Sequence, residues 1–454
     1  METGEVPEQW REANVTAIFK RKVSRGEPGN YRPVSLTSQI GKIFERLLRD
    51  RIVNFLEENN KLRDSQHGIR AKRSCLTNLL EFFDTVQEYV DQGVPVDAVY
   101  LDFQKAFDKV SHRKLVGKLR RVGLEERIVG WIESWLTERR QRVVINGVAS
   151  GWERVESGVP QGSVLGPVLF IIFIDDIDEN VANKILKFAD DTKLLIAGVG
   201  SEQEVEGLRG DLRSLFQWAE DWQMMFNVDK CSVLHFGFNN ARVELELGGK
   251  PLMSHESEKD LGVIVQSNLR VEQQCCKAAN EANRKLGMIK RGFKNRTRAV
   301  MLPLYKAMVR PHLDYCIQAW RPHLRKDIDR LERVQRRATK MIEGLEGLSY
   351  LGRLGVLGLT TLETRFLRAD LLEVYKIFNG LDSLNAERFF VREVGMTRGH
   401  SYKLYKRRVR LDVGKYGFGS RVCNEWNLLT EDVVLAGSLN TLKAKLGRSS
   451  LEEC

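Results

Sequence analysis

Hydrophobic residues recur at helical spacing in two segments near the start of the chain. From Ile40 to Leu56 they fall three or four positions apart, and a second such segment follows Ser74, a residue suited to begin a helix. Each segment predicts a helix with one buried face. The first 35 residues instead carry turn chemistry, including the Arg32–Pro33 step.

The hydrophobic period then changes to that of β-strands. Residues 94–103 are short, rich in Val and nearly continuous in apolar residues, which is typical of a buried central strand. Residues 141–147 predict a strand that leads into an Asn-Gly turn, with residues 151–157 as its partner. Residues 184–197 have two apolar arms around a central Ala-Asp-Asp, so they predict a hairpin with acidic residues at its bend. Two further short strands are predicted within residues 228–237 and 259–265.

Strand signals fade after residue 269, and helical patterns rich in Lys and Arg follow. These patterns cover residues 271–293, 298–319, 323–343 and 361–379, and a last helix is predicted near residues 438–446. The chain therefore predicts an α+β part that contains a sheet, followed by a basic helical part.

Composition narrows the class of protein. The 454 residues are 42% apolar, enough to fill the cores of about two to three domains. The longest apolar run, residues 164–174, is too short to cross a membrane, and the acidic N-terminus does not predict a signal peptide. The seven cysteines form neither a CxxC pair nor an even disulfide ladder, so they predict reduced thiols in a cytosolic or nuclear protein.

Positive charge is concentrated in the C-terminal part of the chain. Residues 270–454 carry 36 Lys and Arg against 20 Asp and Glu, whereas residues 1–269 carry 36 against 41. This division favours a basic half that binds a polyanion, although a well-solvated helical surface would give the same composition. The densest basic positions, where two predicted helices meet, are Lys290, Arg291, Lys294, Arg296 and Arg298.

Three carboxylates carry the candidate chemistry. Asp102 ends a predicted buried strand, and Asp190 and Asp191 lie at a predicted hairpin bend among apolar residues. Carboxylates in such places are costly unless they bind a metal or find a partner, and three together would repel one another without cations. Two hard cations about 4 Å apart, held by such groups, form the device that polymerases and nucleases use. The alternative is that the three are ordinary turn and helix-cap aspartates.

The order of several motifs resembles that of reverse transcriptases. These motifs are YLDFQKAFD (100–108), SGVPQGSVLGPVLF (157–170), KFADDTKL (187–194), VDKCSVLHFG (228–237) and KDLGVIV (259–265), preceded by the fingers-like segments NYRPVSL (30–36) and QHGIRAKRSCLTNL (66–79). Together they are similar to the polymerase of non-LTR (LINE) retrotransposons of the jockey and chicken-repeat type. The similarity continues through residues 302–316, 331–342 and 421–429.

That resemblance implies a right-hand polymerase of the α+β class whose palm contains an antiparallel sheet. Fingers and palm would span residues 1–268, a helical thumb 269–345 and a basic helical extension 346–454. The implied reaction is extension of a DNA primer on an RNA template by deoxynucleoside triphosphates, with two Mg²⁺ or Mn²⁺ ions.

The resemblance also implies roles for individual residues around the metal ions. Asp102 and Asp190 would bind the ions, with Asp191 nearby or also a ligand, and Phe103 would offer its backbone carbonyl. Lys230 falls where such polymerases carry a lysine able to protonate the departing pyrophosphate.

Other residues would contact the nucleotide and the primer. Phe107 would be an aromatic gate against a ribose 2′-hydroxyl, although an ordinary core phenylalanine would also fit. Around it, the implied contacts are the loop beneath the nucleotide (Pro160, Gln161 and Gly162), cations for the triphosphate (Lys20, Arg32, and Arg70 or Arg73) and a primer-grip turn (Leu261 and Gly262). Solvated surface residues and a strand kink are the corresponding ordinary interpretations.

Two rival interpretations remain open. One is a group II intron or retron reverse transcriptase, which the jockey-like C-terminal half disfavours. The other is a catalytically silent nucleic-acid-binding remnant of a truncated element: the intact Asp102, Asp190 and Asp191 disfavour it, whereas the missing part of the fingers extension favours it. Relatives of this type carry an endonuclease upstream, so such activity would have to come from elsewhere. We expect a ribonucleoprotein in the cytoplasm and the nucleus, and no membrane partner.

Overall fold

The structure is a computed structural model that describes residues 5–20, 24–198, 202–393 and 400–448. Two larger sheets contain most of the strands. In chain order the strands are β1 (Glu12–Phe19), β2 (Tyr31–Leu36), β3 (Val96–Leu101), β4 (Arg140–Ile145), β5 (Val148–Ala149), β6 (Glu153–Arg154), β7 (Lys184–Phe188), β8 (Asp191–Ala197), β9 (Ser232–Phe236), β10 (Glu246–Leu247), β11 (Lys250–Pro251), β12 (Met253–His255), β13 (Ser257–Asp260), β14 (Val263–Gln266), β15 (Val391–Arg392) and β16 (Leu404–Tyr405).

Helices surround these sheets and form most of the C-terminal part. Those of the first half are α1 (Glu8–Arg11), α2 (Gln39–Glu58), α3 (Cys75–Asp91), α4 (Ala106–Lys109), α5 (His112–Val122), α6 (Glu126–Leu136), α7 (Gly166–Ile174) and α8 (Glu202–Trp222). Those of the second half are α9 (Glu272–Gly292), α10 (Arg298–Leu304), α11 (Arg310–Asp314), α12 (Ile317–Trp320), α13 (Arg325–Lys340), α14 (Tyr350–Leu357), α15 (Leu362–Phe378), α16 (Ala386–Phe389), α17 (Asp412–Lys415), α18 (Phe418–Arg421), α19 (Cys423–Asn427), α20 (Glu431–Val434) and α21 (Leu439–Arg448).

The sheet that we call the palm sheet has β3 at its centre. Its order is β12-β9-β3-β8-β7, and every pair is antiparallel except the parallel edge pair of β12 with β9. A second sheet, the fingers sheet, has the order β2-β1-β4-β5, with β6 also paired to β4. The predicted α+β class and antiparallel palm sheet are confirmed.

Each face of the palm sheet packs on a different hydrophobic core. Alternate residues of β3 divide between them: Val96 and Ala98 belong to one core, and Val99 and Leu101 to the other. This division follows from the two-residue period of a strand, because successive side chains point to opposite faces. The second core joins the sheet to α2, α5, α6, α7 and α8. The first joins it to α3 and to helices along the whole stretch from α9 to α21.

The two helices predicted first are confirmed by the structure. Ser74 begins α3 with a capping box, in which its hydroxyl accepts a hydrogen bond from Thr77 N and the Thr77 hydroxyl binds Ser74 N. α2 begins after Ser38, whose hydroxyl accepts a hydrogen bond from Gly41 N. The hairpin predicted over residues 184–197 is also confirmed, as β7 and β8.

Three predicted segments differ from the structure. The first 35 residues form β1 and most of β2 rather than turns alone, because Ala13 and Val15 alternate with polar residues and bury one face. Residues 259–265 form a hairpin of β13 and β14 rather than one strand. Residues 298–319 are not one helix, because a π-helical turn at Tyr305–Val309 follows Pro303 and the chain breaks again at Cys316.

The structure also bears on membrane spans, cysteine pairing and domain boundaries. Within the described residues, no helix is both long and apolar enough to cross a membrane. The six described cysteines are unpaired, and Cys454 lies outside the described residues. The domain boundaries at residues 268 and 345 stay a prediction.

Candidate active site

Asp102 lies at the end of the central palm strand between two charged neighbours. The antiparallel register of β3 with β8, continued past Leu101, places Asp191 on one side of Asp102. The register of β3 with β9, continued in the same way, places Lys230 on the other side. Lys230 Nζ donates a 2.7 Å hydrogen bond to Asp102 Oδ2. Strand pairing alone therefore brings two carboxylates and an ammonium group together at one end of the three central strands of the palm sheet.

The turn between β7 and β8 presents Asp190 and Asp191. Ala189, at the first turn position, has a φ of 55°. Gln66 Oε1 accepts hydrogen bonds from the backbone nitrogens of Ala189 at 3.0 Å and Gly68 at 2.8 Å. Gly68 suits this contact because a Cβ there would lie 2.8 Å from the Ala189 nitrogen. The segment that contains Gln66 and Gly68 therefore holds the acidic turn in place.

The three carboxylates act on one another electrostatically. Loss of hydration in the cleft, then the charges of Asp190, Asp260 and Asp102, raise the pKa of Asp191 to about 6. Burial is also the largest cause that raises the pKa of Asp190, to which the charge of Asp102 adds while Arg32 opposes it. Such mutual repulsion is expected where carboxylates share a site without a cation.

Carboxylate oxygens are the ligands that hard divalent cations prefer, so the donor chemistry of these residues fits Mg²⁺ or Mn²⁺. In the described part of the chain, however, no three His, Cys, Asp or Glu side chains are arranged to hold a metal ion. The three predicted carboxylates therefore come together only in part. Their charges act on one another, but Asp102 forms an ion pair with Lys230. The ring of Phe103 stacks on Phe226 with centroids 4.5 Å apart, and the metal contact of its carbonyl stays a prediction.

The predicted nucleotide loop packs against the fingers sheet. Gln161 O accepts a 2.7 Å hydrogen bond from Ser35 N of β2, and Gln161 Nε2 donates to Asp108 Oδ1 at 3.3 Å. Gly162 has a φ of 114°, and a Cβ there would lie 2.6 Å from Ser35 O. Only glycine combines that conformation with that approach. Pro160 precedes this close contact, so the loop joins the fingers sheet to the palm.

A buried glutamate fixes the segment that follows this loop. Glu45 of α2 is 1% exposed, and its Oε2 accepts hydrogen bonds from Val164 N at 2.6 Å and Leu165 N at 3.2 Å. These nitrogens precede α7 and have no partner within that helix. Glu45 therefore anchors the start of α7 to α2, a role that the sequence analysis did not predict.

Phe107 lies beside the nucleotide loop. Its ring stacks on Phe170, with centroids 4.5 Å apart and an angle of 15° between the planes. Its backbone oxygen accepts a 2.8 Å hydrogen bond from Val159 N, one residue before Pro160. Phe107 is half-buried, so one face is packed in the core while part of the side chain stays open. Its role as a sugar gate stays a prediction.

The four predicted triphosphate-binding cations fall into two groups. Arg32 and Lys20 are exposed in the fingers sheet and just after β1. Burial raises the pKa of Asp190, and the charge of Arg32 partly offsets this rise. Arg70 and Arg73 are instead 8% and 9% exposed in their side chains. The structure therefore brings Arg32 towards the carboxylates and places the other two arginines in the interior.

Arg70 and Arg73 take part in ion pairs. Arg70 Nη2 lies 3.3 Å from Glu57 Oε2, and Arg73 Nη2 lies 2.8 Å from Asp64 Oδ1. The Arg70–Glu57 pair ties the segment before α3 to the end of α2, and the Arg73–Asp64 pair lies within that segment. A triphosphate contact by either arginine stays a prediction, and it would require the guanidinium group to leave its present partner.

The predicted primer-grip residues form the turn between β13 and β14. Leu261 has a φ of 45° and Gly262 a φ of 92°, so both are left-handed. The Tyr315 hydroxyl donates a 3.0 Å hydrogen bond to Leu261 O, and Lys277 Nζ donates to Gly262 O. The turn is thus held by two side chains of the helical C-terminal part.

Two charged residues near the site escaped the sequence analysis. Lys193, two positions after Asp191, forms a buried ion pair with Asp260, which directly precedes Leu261. A lysine within an otherwise apolar strand is a signal for a buried partner, but the sequence does not say where that partner lies. Asp102, Asp191, Lys193, Asp260 and Leu261 line one polar cavity.

Comparison with protein families assigns the chain to a family whose chemistry these carboxylates fit. Residues 18–278 match the model of the family described as reverse transcriptase (RNA-dependent DNA polymerase), which is more than half of the chain. The chain is therefore a member of the reverse transcriptase family, whose members generally use divalent metal ions.

Its relatives are encoded by mobile elements. It is 27% identical over 344 residues to the RNA-directed DNA polymerase from mobile element jockey of Drosophila melanogaster, covering 72% of this chain and 37% of that protein. It is 28% identical over 345 residues to the probable RNA-directed DNA polymerase from transposon BS of the same species, covering 72% and 38%. The chain thus spans little more than a third of the length of these relatives. Among solved structures, telomerase from Candida tropicalis in complex with an RNA fragment matches with a TM-score of 0.47 and 10% identity, covering 97% of this chain and 64% of that one.

Proposed function

We propose that the chain is an RNA-directed DNA polymerase of a non-LTR retrotransposon, which extends a DNA primer on an RNA template. The observation that carries the proposal is the placement of Asp190 and Asp191 beside Asp102 at one edge of the palm sheet, where their charges act on one another. Membership of the reverse transcriptase family and the relatives named for RNA-directed DNA polymerase activity support the same chemistry.

Two Mg²⁺ or Mn²⁺ ions would be held by Asp102 and Asp190, with Asp191 and the Phe103 carbonyl as further oxygen donors. When bound, such ions lower the pKa of a primer 3′-hydroxyl and neutralise the charge of the leaving pyrophosphate. Lys230 forms a hydrogen-bonded ion pair with Asp102 in this structure, and its side chain is exposed. It would turn towards the leaving group and donate a proton to it.

The remaining contacts would position the substrates. Arg32 and Lys20 would meet the triphosphate from the fingers sheet, and Pro160, Gln161 and Gly162 would support the nucleotide from below. The turn at Leu261 and Gly262 would hold the primer. The partners would therefore be an RNA template, a DNA primer and deoxynucleoside triphosphates. We infer that the protein acts within a ribonucleoprotein, in the cytoplasm and in the nucleus.

Primer extension on a homopolymer RNA template with Mg²⁺ or Mn²⁺ tests this proposal. Asp102→Asn and Asp190→Asn should each reduce nucleotide incorporation to about 1% of wild type or less, because both remove a charge that the ions need. Binding of template–primer, measured by fluorescence anisotropy, should change little, since in this proposal the carboxylates serve the ions and not the phosphate backbone.

Asp221→Asn is the matched control, because Asp221 is an exposed carboxylate at the end of α8, outside the cleft. It should extend primers at the wild-type rate. Wild-type protein that binds template–primer but incorporates no nucleotide with either metal would favour the catalytically silent interpretation. Substantial extension by Asp102→Asn would exclude the assignment of the ions.

A further inference from the structure

We propose that the buried ion pair of Lys193 and Asp260 positions the primer-grip turn against the strand that carries Asp191. This inference rests on the proposed polymerase function and assigns Lys193 and Asp260 as positioning residues. Neither is a metal ligand or a substrate contact in this proposal. They act by fixing where a primer terminus would lie relative to the carboxylates.

The pair joins two elements that are distant in the chain. Lys193 lies on β8 with 4% of its side chain exposed, and Asp260, the last residue of β13, has 5% exposed. Lys193 Nζ donates a hydrogen bond to Asp260 Oδ2 and lies 4.5 Å from the centroid of the Phe82 ring. One partner is thus two residues from Asp191, and the other is next to Leu261.

The other contacts of the β13–β14 hairpin show why this pair matters. At its turn, Tyr315 and Lys277 of the helical C-terminal part bind the backbone oxygens of Leu261 and Gly262. Movement of those helices would therefore pull on the turn directly. On the palm side, Ser232 Oγ donates a 2.8 Å hydrogen bond to Glu258 Oε2, which ties the beginning of β13 to β9. The Lys193–Asp260 pair ties its end, beside the turn, to β8.

A buried ion pair restricts movement more than an apolar contact does. Apolar surfaces can slide past each other with small loss, whereas separating two buried charges leaves each without a partner or its water. The spacing of β8 and the turn is therefore set by the length of the Lys193 and Asp260 side chains. Because Asp191 and Leu261 line the same cavity as this pair, that spacing sets the place of a primer terminus held by the turn.

The test replaces the pair by apolar groups of similar size, as Lys193→Met combined with Asp260→Leu. Such exchange of a buried ion pair is often neutral for folding. Single-turnover incorporation on preformed template–primer complexes should slow by about tenfold or more, because small misplacement of reacting groups is costly. The dissociation constant for template–primer and the half-saturating nucleotide concentration should stay within about twofold of wild type. A 2-aminopurine at the primer terminus should report its changed environment by fluorescence.

Two controls separate positioning from structural support. Lys118→Met combined with Asp176→Leu removes another Lys–Asp pair, with Nζ and Oδ1 2.5 Å apart and the lysine side chain 4% exposed, away from the primer-grip hairpin. It should leave the incorporation rate and the 2-aminopurine signal unchanged. Asp260→Glu keeps the ion pair but lengthens it by one methylene group, so it should slow incorporation even if the apolar pair fails to fold.

Each outcome decides the proposal. Wild-type rate and wild-type 2-aminopurine signal in the apolar pair variant or in Asp260→Glu would overturn it, as would equal losses in rate and in template–primer affinity. Wild-type protein that binds template–primer without extending it would contradict the proposed function alone, and the fluorescence signal would still decide the positioning role. If the wild type neither extends nor binds, both proposals are wrong.

Discussion

Asp191 is a predicted catalytic carboxylate in unfavourable electrostatic surroundings. Its pKa is raised from 3.8 to about 6 by loss of hydration and by the charges of Asp190, Asp260 and Asp102. A carboxyl group binds a divalent cation in its deprotonated form, so protons compete with the cation as the pH falls through the raised pKa. We expect Mn²⁺ affinity, measured by calorimetry, to be nearly constant above pH 7 and to fall by up to about tenfold per unit below pH 6.

Asp191→Asn is the variant that separates this effect from other titrations. It should bind Mn²⁺ more weakly at pH 7 and should lose the decrease centred near pH 6, because its side chain does not titrate. If the variant kept the same pH dependence as the wild type, another group would be responsible.

Phe107 allows a prediction about sugar selection. Replacing it by Ala removes the bulk that would exclude a 2′-hydroxyl, so ribonucleotide incorporation should rise by at least about tenfold relative to deoxynucleotide incorporation. Phe107→Tyr keeps the ring and should keep the wild-type preference. Because the ring also stacks on Phe170, thermal denaturation of the Ala variant must accompany the kinetics. An unchanged preference in a folded variant would make Phe107 a core residue only.

The relative positions of individual residues were predictable where strand order decides the geometry. The expectation that Asp102 lies near Asp191 required only that two strands be neighbours, and the register of β3 with β8 provides this. The partners of buried charges were not predictable in the same way. Arg70 and Glu57 are 13 positions apart, and Lys193 and Asp260 are 67 apart, so tertiary packing alone brings them together.

At the scale of elements, hydrophobic period was informative where a second local signal came with it. Ser74 marks the beginning of α3, and the Ala-Asp-Asp turn divides the apolar run of β7 and β8, although β8 is buried on both faces from Thr192 to Ile196. α7 is different because its residues from Val168 to Ile174 are all buried, and a run that is apolar on every side does not distinguish helix from strand. α8 does carry Leu208, Leu212 and Leu215 at helical spacing, so this helix could have been predicted.

The contact of Gly68 with the acidic turn leads to a prediction about the β7–β8 hairpin. Gly68→Ala would place a Cβ 2.8 Å from the Ala189 nitrogen, so the turn must shift or the segment at Gln66 must move. We expect the free energy of unfolding to fall by about 1–3 kcal/mol. We also expect primer extension to slow by about tenfold, because Asp190 follows Ala189 directly.

Gly117→Ala is the matched control for this substitution. Gly117 lies within α5, and no heavy atom outside its own helical turn would lie within 4 Å of a Cβ there. The change should stabilise the protein by up to about 1 kcal/mol, because alanine favours helix more than glycine does, and should leave extension unchanged. Chemical denaturation and primer extension of both variants measure these effects. Equal behaviour of the two variants would show that the close approach at Gly68 does not matter.

At the scale of the whole molecule, the basic C-terminal part shares a core with the palm. Helices from α9 to α21 pack with α3 and one face of the palm sheet in the same cluster of buried residues. Side-chain contacts to the primer-grip turn cross the predicted boundary at residue 268 as well. A basic part attached in this way would hold a bound polyanion in a defined position relative to the carboxylates. The net charge predicted this role, whereas the shared core required the structure.

Four exposed cations provide the test of that role. Lys290 and Arg291 at the end of α9, Lys294 in the loop and Arg298 at the start of α10 are exposed. Arg296 is half-buried and its backbone pairs with Glu343, so the test leaves Arg296 unchanged. Changing the four to Gln should flatten the dependence of log affinity on log salt by roughly 0.7–0.9 for each phosphate contact that is lost. Affinity should fall equally for unrelated template sequences, because phosphate contacts carry no sequence information.

The matched control changes four exposed arginines of α5 and α6 to Gln: Arg113, Arg120, Arg121 and Arg127. Both variants lose four positive charges, so a general electrostatic effect would flatten the salt dependence of both alike. If the nucleic acid binds along the basic C-terminal part, the salt dependence of affinity should flatten only in the first variant. That variant should also release template–primer sooner and make shorter products, while single-nucleotide addition by preformed complexes stays near wild type. An unchanged salt slope would place the nucleic acid elsewhere, and the positive charge near α9 and α10 would then serve solubility alone.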